Sequence, residues 1–267
     1  MLKFGVLLSL SVAAVAATVL PGPAAQAGVS TAAAARHGIL PPRNPAASLW
    51  PVPDFLASCP QGGDGTACNR LVLAAIARAR RALEKMGGMS FSLAAYEKLT
   101  PDQQLFVTVD LERTERGLPP VLVLSKSLDA IAQAGARAGR DPAIADVPGR
   151  LPGGGQTAYV GANWAGGWVS PLGSDYGWMY DDGPGGDNED CGAAGSARCW
   201  GHRDIILTEF GSRSCGGGQT ALAMGAGHAT RPDYGESDTE ILAGVCGPPP
   251  TDAVFTWTEA EKLLHIG

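Results

Sequence analysis

A histidine and an arginine lie side by side in the second half of the chain, at the start of a short apolar run. The stretch reads Cys199-Trp200-Gly201-His202-Arg203-Asp204-Ile205-Ile206-Leu207. His202 could act as a general acid or base, because an imidazole titrates near neutral pH. It could equally be a structural residue that caps the following helix or binds a backbone carbonyl. Arg203 could hold an anionic ligand, although we favour pairing with an acidic residue in the core.

An acidic segment precedes this stretch. Hard oxygen ligands at such density suit calcium, but their spacing does not fit the EF-hand pattern, and a solvated acidic loop is the competing interpretation. The candidate calcium loop consists of Asp181, Asp182, Asp187, Asn188, Glu189 and Asp190.

Aromatic side chains are dense in the same region. Flat rings could stack on the apolar faces of sugars, but aromatic residues in a disulfide-stapled domain more often form core. The residues concerned are Tyr159, Trp164, Trp168, Tyr176, Trp178, Tyr180 and Trp200.

Several enzyme signatures are absent from the sequence. It contains no G-x-S-x-G of serine hydrolases, no H-E-x-x-H of zinc proteases and no phosphate-binding G-x-x-x-x-G-K. The chain has only four histidines, which restricts any histidine-based mechanism.

Helix signals indicate which elements position these residues. Thr100-Pro101-Asp102-Gln103 combines an N-cap threonine, a proline at the first helical position and a glutamine that closes a capping box. This helix is predicted to run to about Arg116, where Gly117 ends it. Further helices are predicted from Leu128 to Ala138 with Ser127 as cap, from Ser170-Pro171 through Trp178, after Gly201, and from Thr258-Glu259-Ala260-Glu261.

Another predicted helix begins after Asn69 and stops at Gly87-Gly88. One face is basic and could bind a polyanion, but a solvated surface is the favoured interpretation. That face consists of Arg78, Arg80, Arg81 and Lys85.

Strand patterns occupy the C-terminal part. Thr220–Gly227, Thr239–Cys246 and Ala253–Trp257 are predicted strands. Helices first and strands later indicate an α+β fold, with helices packed on a small antiparallel sheet.

The first 27 residues resemble a secretory signal peptide. Lys3 supplies the positive charge, Gly5 to Leu20 the apolar core, and Ala25-Gln26-Ala27 the cleavage site. A membrane span needs about 20 continuous apolar residues, and Pro21 interrupts this run too soon. We therefore predict a secreted, extracellular protein with no membrane span after signal cleavage.

Six cysteines fit disulfide bonds in an oxidising compartment. Six cysteines allow about 15 pairings, and the local choice is Cys59–Cys68, Cys191–Cys199 and Cys215–Cys246. A metal site is the alternative, but no C-x-x-C spacing supports it.

The net charge of −6 argues against nucleic acid or anionic lipid as the main partner. Removal of the signal segment would take away Lys3 and no acidic residue, and so would make the charge more negative.

Three groups of residues, in order, resemble the CAP superfamily of cysteine-rich secretory, antigen-type and pathogenesis-related proteins, in its bacterial form. The first group is Asp110-Leu111-Glu112-Arg113, Gly117-Leu118-Pro119-Pro120-Val121 and Leu128…Ala132-x-x-x-Ala136. The second is Gly161-Ala162-Asn163, similar to the family's Gly-Glu-Asn turn. The third is Trp178 followed by Gly201-His202-Arg203-Asp204-Ile205-Ile206-Leu207. The match covers roughly residues 101–247.

The resemblance implies a three-layer α-β-α sandwich with a central cleft, where typical members place two histidines and two acidic residues that can hold a divalent metal. In this chain the first histidine position falls on Gly135 and the first acidic position on Ala162. The second acidic position falls on Asp181 and the second histidine on His202. Two of the four groups are therefore missing, which argues against zinc, since such a site needs three or four ligands.

The chain is predicted to consist of a signal peptide (1–27), a Pro/Ala-rich linker (28–58), a helical N-terminal extension (59–100), a CAP-like domain (101–250), which the resemblance implies, and a C-terminal strand with a short helix (251–267). We expect a monomeric binding module, not an enzyme, for an extracellular glycan, lipid or protein. Its cleft would be lined by Gly135, Ala162, Asn163, Asp181, His202 and Arg203. The alternative is a hydrolase of peptide or glycan that uses His202 and Asp181, with calcium or zinc as a possible cofactor.

Overall fold

The computed structural model describes residues 44–59, 65–193, 196, 198–233 and 235–266, which form an α+β fold around one mixed sheet. The predicted signal peptide and the first part of the predicted linker lie outside the described residues. The helices are α1 (Phe55–Ser58), α2 (Thr66–Ala79), α3 (Leu93–Tyr96), α4 (Pro101–Thr114), α5 (Lys126–Ala138), α6 (Pro171–Tyr180), α7 (Gly201–Ile206) and α8 (Trp257–Leu264). The strands are β1 (Val123–Ser125), β2 (Gln156–Gly166), β3 (Thr220–Arg231), β4 (Gly235–Cys246) and β5 (Ala253–Thr256).

The sheet has five strands in the order β2-β4-β3-β1-β5. Neighbouring strands are antiparallel except β1 and β3, which are parallel. The prediction of a wholly antiparallel sheet was therefore wrong at this pair. Strand β1 has only three residues and gives no alternation signal, and the long crossover from β1 to β3, which includes α5, β2, α6 and α7, returns the chain to the sheet in the parallel sense.

Helices cover both faces of the sheet. Helix α5 packs on one face, where Leu128 and Ala132 meet Ala223 and Ile241. On the opposite face α4 and α6 pack against the sheet, and α2 packs against α6, in a larger core. Glycines in β3 allow α5 to lie directly on the strand, because a Cβ at Gly225 would stand 2.3 Å from the backbone of Leu128.

Capping explains the helix boundaries. Thr100 and Gln103 form the predicted capping box of α4. At α8 the capping box is formed by Thr256 and Glu259, so the N-cap lies two residues before the predicted Thr258. Helix α2 begins at Thr66, and the predicted cap Asn69 is buried inside it, where its amide donates to Glu97.

Helix α2 continues into a π-helical segment, Arg80–Glu84. The wider turn changes which side chains face the protein, so Arg80 is buried and ion-paired with Glu112 and Glu115. Arg80, which was predicted to lie on the exposed basic face, therefore belongs to the core.

Residues 44–59, which belong mostly to the predicted linker, pack against the domain. Phe55 is buried and its ring meets Tyr176 edge to face at 5.3 Å. Ser48 donates its backbone N–H to Pro184 and accepts the N–H of Gly183 on its hydroxyl. This segment therefore contributes to the core and to the loop after α6.

Three disulfide bonds join Cys59 to Cys68, Cys191 to Cys199 and Cys215 to Cys246, as predicted. Cys68 lies in α2 and Cys246 ends β4, whereas Cys191 and Cys199 both lie in the loop between α6 and α7. Such bridges fit an oxidising, extracellular environment. Among the described helices, none has the length and apolarity needed to cross a bilayer.

Candidate functional site

The imidazole of His202 is held by the carboxylate of Asp182. His202 Nδ1 lies 2.6 Å from Asp182 Oδ1, and the backbone N–H of His202 donates to Asp182 Oδ2 at 2.9 Å. The Asp182 side chain is 1% exposed, whereas that of His202 is 30% exposed. A buried carboxylate thus fixes one ring nitrogen, while the ring reaches solvent.

The ends of two helices bring these residues together. Asp182 lies just beyond the end of α6, and His202 stands in the first turn of α7. Trp200 connects them: it adopts a left-handed conformation (φ 66°), donates its N–H to the carbonyl of Asp182, and stacks its ring on Gly183. A Cβ at Gly183 would stand 2.0 Å from that ring, so only glycine allows the contact.

The pKa of His202 reflects an acidic surrounding. Burial alone would lower it, but the hydrogen bond to Asp182 and the negative charges of Asp182, Asp141 and Glu240 outweigh burial and raise the pKa above its ordinary value. The imidazole is therefore more readily protonated than a free histidine.

Asn163 links His202 to a buried acid on the neighbouring strand. Its Nδ2 donates to the carbonyl of His202 at 3.0 Å and to Glu240 Oε1 at 2.6 Å. Burial raises the pKa of Glu240 to about 8, against the opposing hydrogen bond from Asn163 and the charges of His202 and Arg113. Neither Glu240 Oε2 nor Asn163 Oδ1 forms a hydrogen bond with another atom of the described residues.

Gly135 and Ala162, the two positions of the CAP cleft that lack a functional side chain in this chain, lie in or near α5. A Cβ at Gly135 would stand 3.0 Å from the backbone of Arg140 and Pro142, which cover that position. Ala162 packs against the α5-side cluster around Leu128. The residue that approaches His202 from this side is Asp141: burial raises its pKa, while the charge of His202 opposes that shift.

Asp181 lies apart from the pair. It is buried, and a Cβ at Gly186 would stand 2.6 Å from both its Oδ1 and Ser48 Oγ. Burial and the charges of Asp187 and Asp182 raise the pKa of Asp181 to about 7. The structure thus pairs His202 with Asp182, one residue beyond the predicted Asp181.

Arg203 is fully buried and pairs within the core. Its guanidinium lies 2.7 Å from Glu84 Oε2 and donates to the carbonyl of Met179 at 2.7 Å. It also lies near the rings of Tyr180 and Trp200. Arg203 therefore anchors α7 to the rest of the molecule.

Hydrogen bonds and one ion pair hold part of the acidic segment in place. Asn188 donates to Asp182 Oδ1 at 2.6 Å and accepts the N–H of Asp190, and Asp190 forms an exposed ion pair with Arg198. Asp187 and Glu189 are exposed. Across the described ranges no cluster of three or more histidine, cysteine or acidic residues is arranged to hold a metal ion. Calcium or zinc binding stays a prediction.

His228 belongs to a second cluster, at the far end of the β3–β4 hairpin. Hydrogen bonds to Asp238 and Glu236 raise its pKa to about 10, against burial. Ser174 Oγ donates to Asp238 Oδ2 at 2.6 Å. The serine thus contacts the acid and not the imidazole, which is the wrong order for a nucleophilic relay.

The positions of Asp182, Glu240 and Asp141 near His202 were not predicted from the sequence. Asp182 was grouped with the acidic loop, and Glu240 lies inside a strand whose pattern indicated core. A charged residue in such an apolar strand, between Thr239 and Ile241, was the available signal.

Comparison with known proteins gave no assignment, since no family model, no curated protein and no solved structure matches this chain.

Proposed function

We propose that this chain is a secreted, degenerate CAP-like protein that binds an extracellular ligand through His202 without catalysing a reaction. One observation carries the proposal: His202 is partly exposed, while its Nδ1 and its backbone N–H are both held by the buried Asp182. Such an imidazole is oriented before any ligand arrives, which reduces the entropic cost of binding.

The chemistry of the site indicates the kind of group it receives. A protonated imidazole donates a hydrogen bond, and His202 Nε2 is the ring atom that Asp182 does not engage. A carboxylate or hydroxyl oxygen of a glycan or peptide is a suitable acceptor. The CAP resemblance supports the same region as the ligand cleft, because His202 matches a histidine of the family's cleft, and Asp182 supplies a carboxylate beside it.

A hydrolase is the second candidate, and the same pair favours it. An aspartate that orients an imidazole is the arrangement used in general acid–base catalysis. The revised pair would be His202 and Asp182, acting on peptide or glycan. Among the described residues, however, no serine, threonine or cysteine side chain is hydrogen-bonded to the His202 ring.

One experiment separates the two candidates. Wild-type protein, His202→Ala and the exposed control His265→Asn are applied to a glycan array and to peptide and glycan hydrolysis assays. We expect ligand retention by the wild type and control, at least about tenfold weaker retention by His202→Ala, which corresponds to about 1.4 kcal/mol, and no product. Product formation that requires His202 would establish the hydrolase instead. Equal retention by all three proteins would remove His202 from the site.

A further inference from the structure

A groove lies outside the residues that resemble the CAP family, between the N-terminal segment and α2. Its cavity measures about 320 Å³ and lies between Pro51, Val52 and Phe55 on one side and Leu71, Ala74 and Arg78 on the other. The three residues of α2 follow helical spacing and so form one face. This volume is close to that of the smallest ligand-binding pockets, about 300 Å³. It can hold one or two large side chains.

Large apolar side chains are exposed in and next to the segments that form this groove. Trp50 is 78% exposed, Leu56 70% and Leu71 44%. Leu71 lines the groove, and Trp50 and Leu56 adjoin its lining residues Pro51 and Phe55 in the chain. Clustered exposed apolar residues of this size mark interaction sites more than scattered ones do.

Positive charge accompanies the apolar surface. Arg70, Arg78 and Arg81 are exposed along α2 and its π-helical continuation, and no carboxylate of the described residues pairs with them. Arg78 donates to the carbonyl of Pro51 at 3.1 Å, which holds its charge beside the groove. The acidic lining residue, Asp54, accepts the N–H of Ala57 and caps α1.

We infer that this groove docks an acidic segment of a partner protein, with a large apolar side chain in the cavity and carboxylates on the three arginines. The local charge is opposite to that of the acidic chain as a whole, so complementarity selects an anionic partner. A small molecule that filled 320 Å³ would leave Trp50 and Leu56 uncovered. An anionic bilayer would be repelled by the net charge of −6 and has no projecting side chain to enter a concave site.

The test is selection from a displayed library of random peptides on the full chain with its disulfides formed. Selected peptides are then synthesised and their affinities measured by fluorescence anisotropy. We expect enriched peptides to combine several acidic residues with an aromatic or large aliphatic residue. Their affinity should fall about tenfold or more for Arg78→Glu/Arg81→Glu and for Leu71→Asp, and weaken as salt screens the charges.

The matched controls are one Arg→Glu and one Leu→Asp substitution at exposed positions that do not line the groove. Arg213→Glu alters an exposed arginine and Leu263→Asp an exposed leucine, and both should bind like wild type. Ala74→Glu, which fills the groove from an exposed helical position, is a second blocking variant if the double arginine variant fails to fold.

Three results would overturn the inference: no enrichment, enrichment of peptides without acidic residues, or binding that the groove variants leave unchanged. A second assay tests binding to phosphatidylserine vesicles. Co-sedimentation with them that depends on Arg78, without peptide binding, would assign the surface to a membrane instead.

Discussion

At the scale of single residues, Asp182 determines the properties of the candidate site. It accepts hydrogen bonds from the ring and from the backbone of His202, and it lies almost entirely out of solvent. A charge-assisted hydrogen bond of this kind is stronger than a neutral one. The reactivity of His202 is therefore set by its neighbour as much as by the imidazole itself.

Replacement of Asp182 by Asn should lower the pKa of His202, because it removes both the acceptor and the negative charge that raise it. NMR titration of the His202 ring protons would measure the change. Asp190→Asn, which alters an exposed residue of the same loop, is the control and should leave the pKa nearly unchanged. An unchanged pKa in Asp182→Asn would contradict the pairing.

The same variant has a predictable effect on stability. A histidine with a raised folded pKa stabilises the protein fully below its unfolded pKa of about 6.5, and that contribution is lost as pH rises through the folded pKa. Urea unfolding of wild type and Asp182→Asn should therefore differ more at about pH 5.5 than well above neutrality. The opposite trend would mean that His202 is neutral in the folded protein.

At the scale of elements, buried charges attach α7 to the N-terminal helices. Glu84, at the end of the π-helical segment, pairs with Arg203 on α7 and with Arg116 beyond α4. Burial would raise the pKa of Glu84, but the two arginines lower it below the usual value. The extension that precedes residue 101 is therefore part of what holds His202 in place.

Replacement of Glu84 by Gln should destabilise the protein by about 3 kcal/mol, because it leaves two buried arginines without their shared carboxylate. Urea denaturation would measure the loss. Glu189→Gln, at an exposed loop position, should change the free energy of unfolding by less than about 0.5 kcal/mol. Similar effects of the two substitutions would show that the network contributes little.

The close contact between α5 and β3 leads to a second prediction at the scale of elements. A Cβ at Gly227 would stand 2.4 Å from Gln133 N, so Gly227→Ala must push the helix away from the sheet. We expect a loss of about 1–3 kcal/mol. Gly87→Ala meets no atom within 4 Å and is the control. Equal thermal stability of the two variants would contradict the packing.

Elements with local causes were predictable from sequence. The capping box of α4 and the proline-led start of α6 depend on residues within one turn. Strand β2 was missed, because its glycines and partly exposed side chains weaken the alternation that marks a strand. His202 pairs with Asp182 and not with the predicted Asp181 for a geometric reason. At the end of a helix, successive residues direct their side chains about 100° apart.

At the scale of the whole molecule, many buried acidic groups have raised pKa values. Burial raises that of Asp102 to about 6, of Asp129 to about 7 and of Glu240 to about 8, and raises those of Asp110 and Asp175 well above the usual range. Such groups bind protons more tightly in the folded state. Their contribution is present in acid and is lost as pH rises through these values.

The protein should therefore be more stable at about pH 5.5 than at about pH 8.5. Glu84 and Asp252, whose pKa values are lowered, act in the opposite direction only below the ordinary carboxyl range of about 4. Urea unfolding across this range would measure the trend. A maximum on the alkaline side would mean that the buried carboxyls ionise without cost.

The path of the chain at Asn44 has a practical consequence for any assay of this protein. Asn44 donates to Asp204 on α7, the helix that carries His202, whereas Ile266 lies at the other terminus beside Glu261. A tag or surface linkage placed ahead of residue 44 would leave the domain next to α7 and could crowd an incoming ligand. Immobilisation through the C-terminus instead attaches the chain beyond α8, and a comparison of the two orientations on a sensor chip would show how close to His202 the ligand binds.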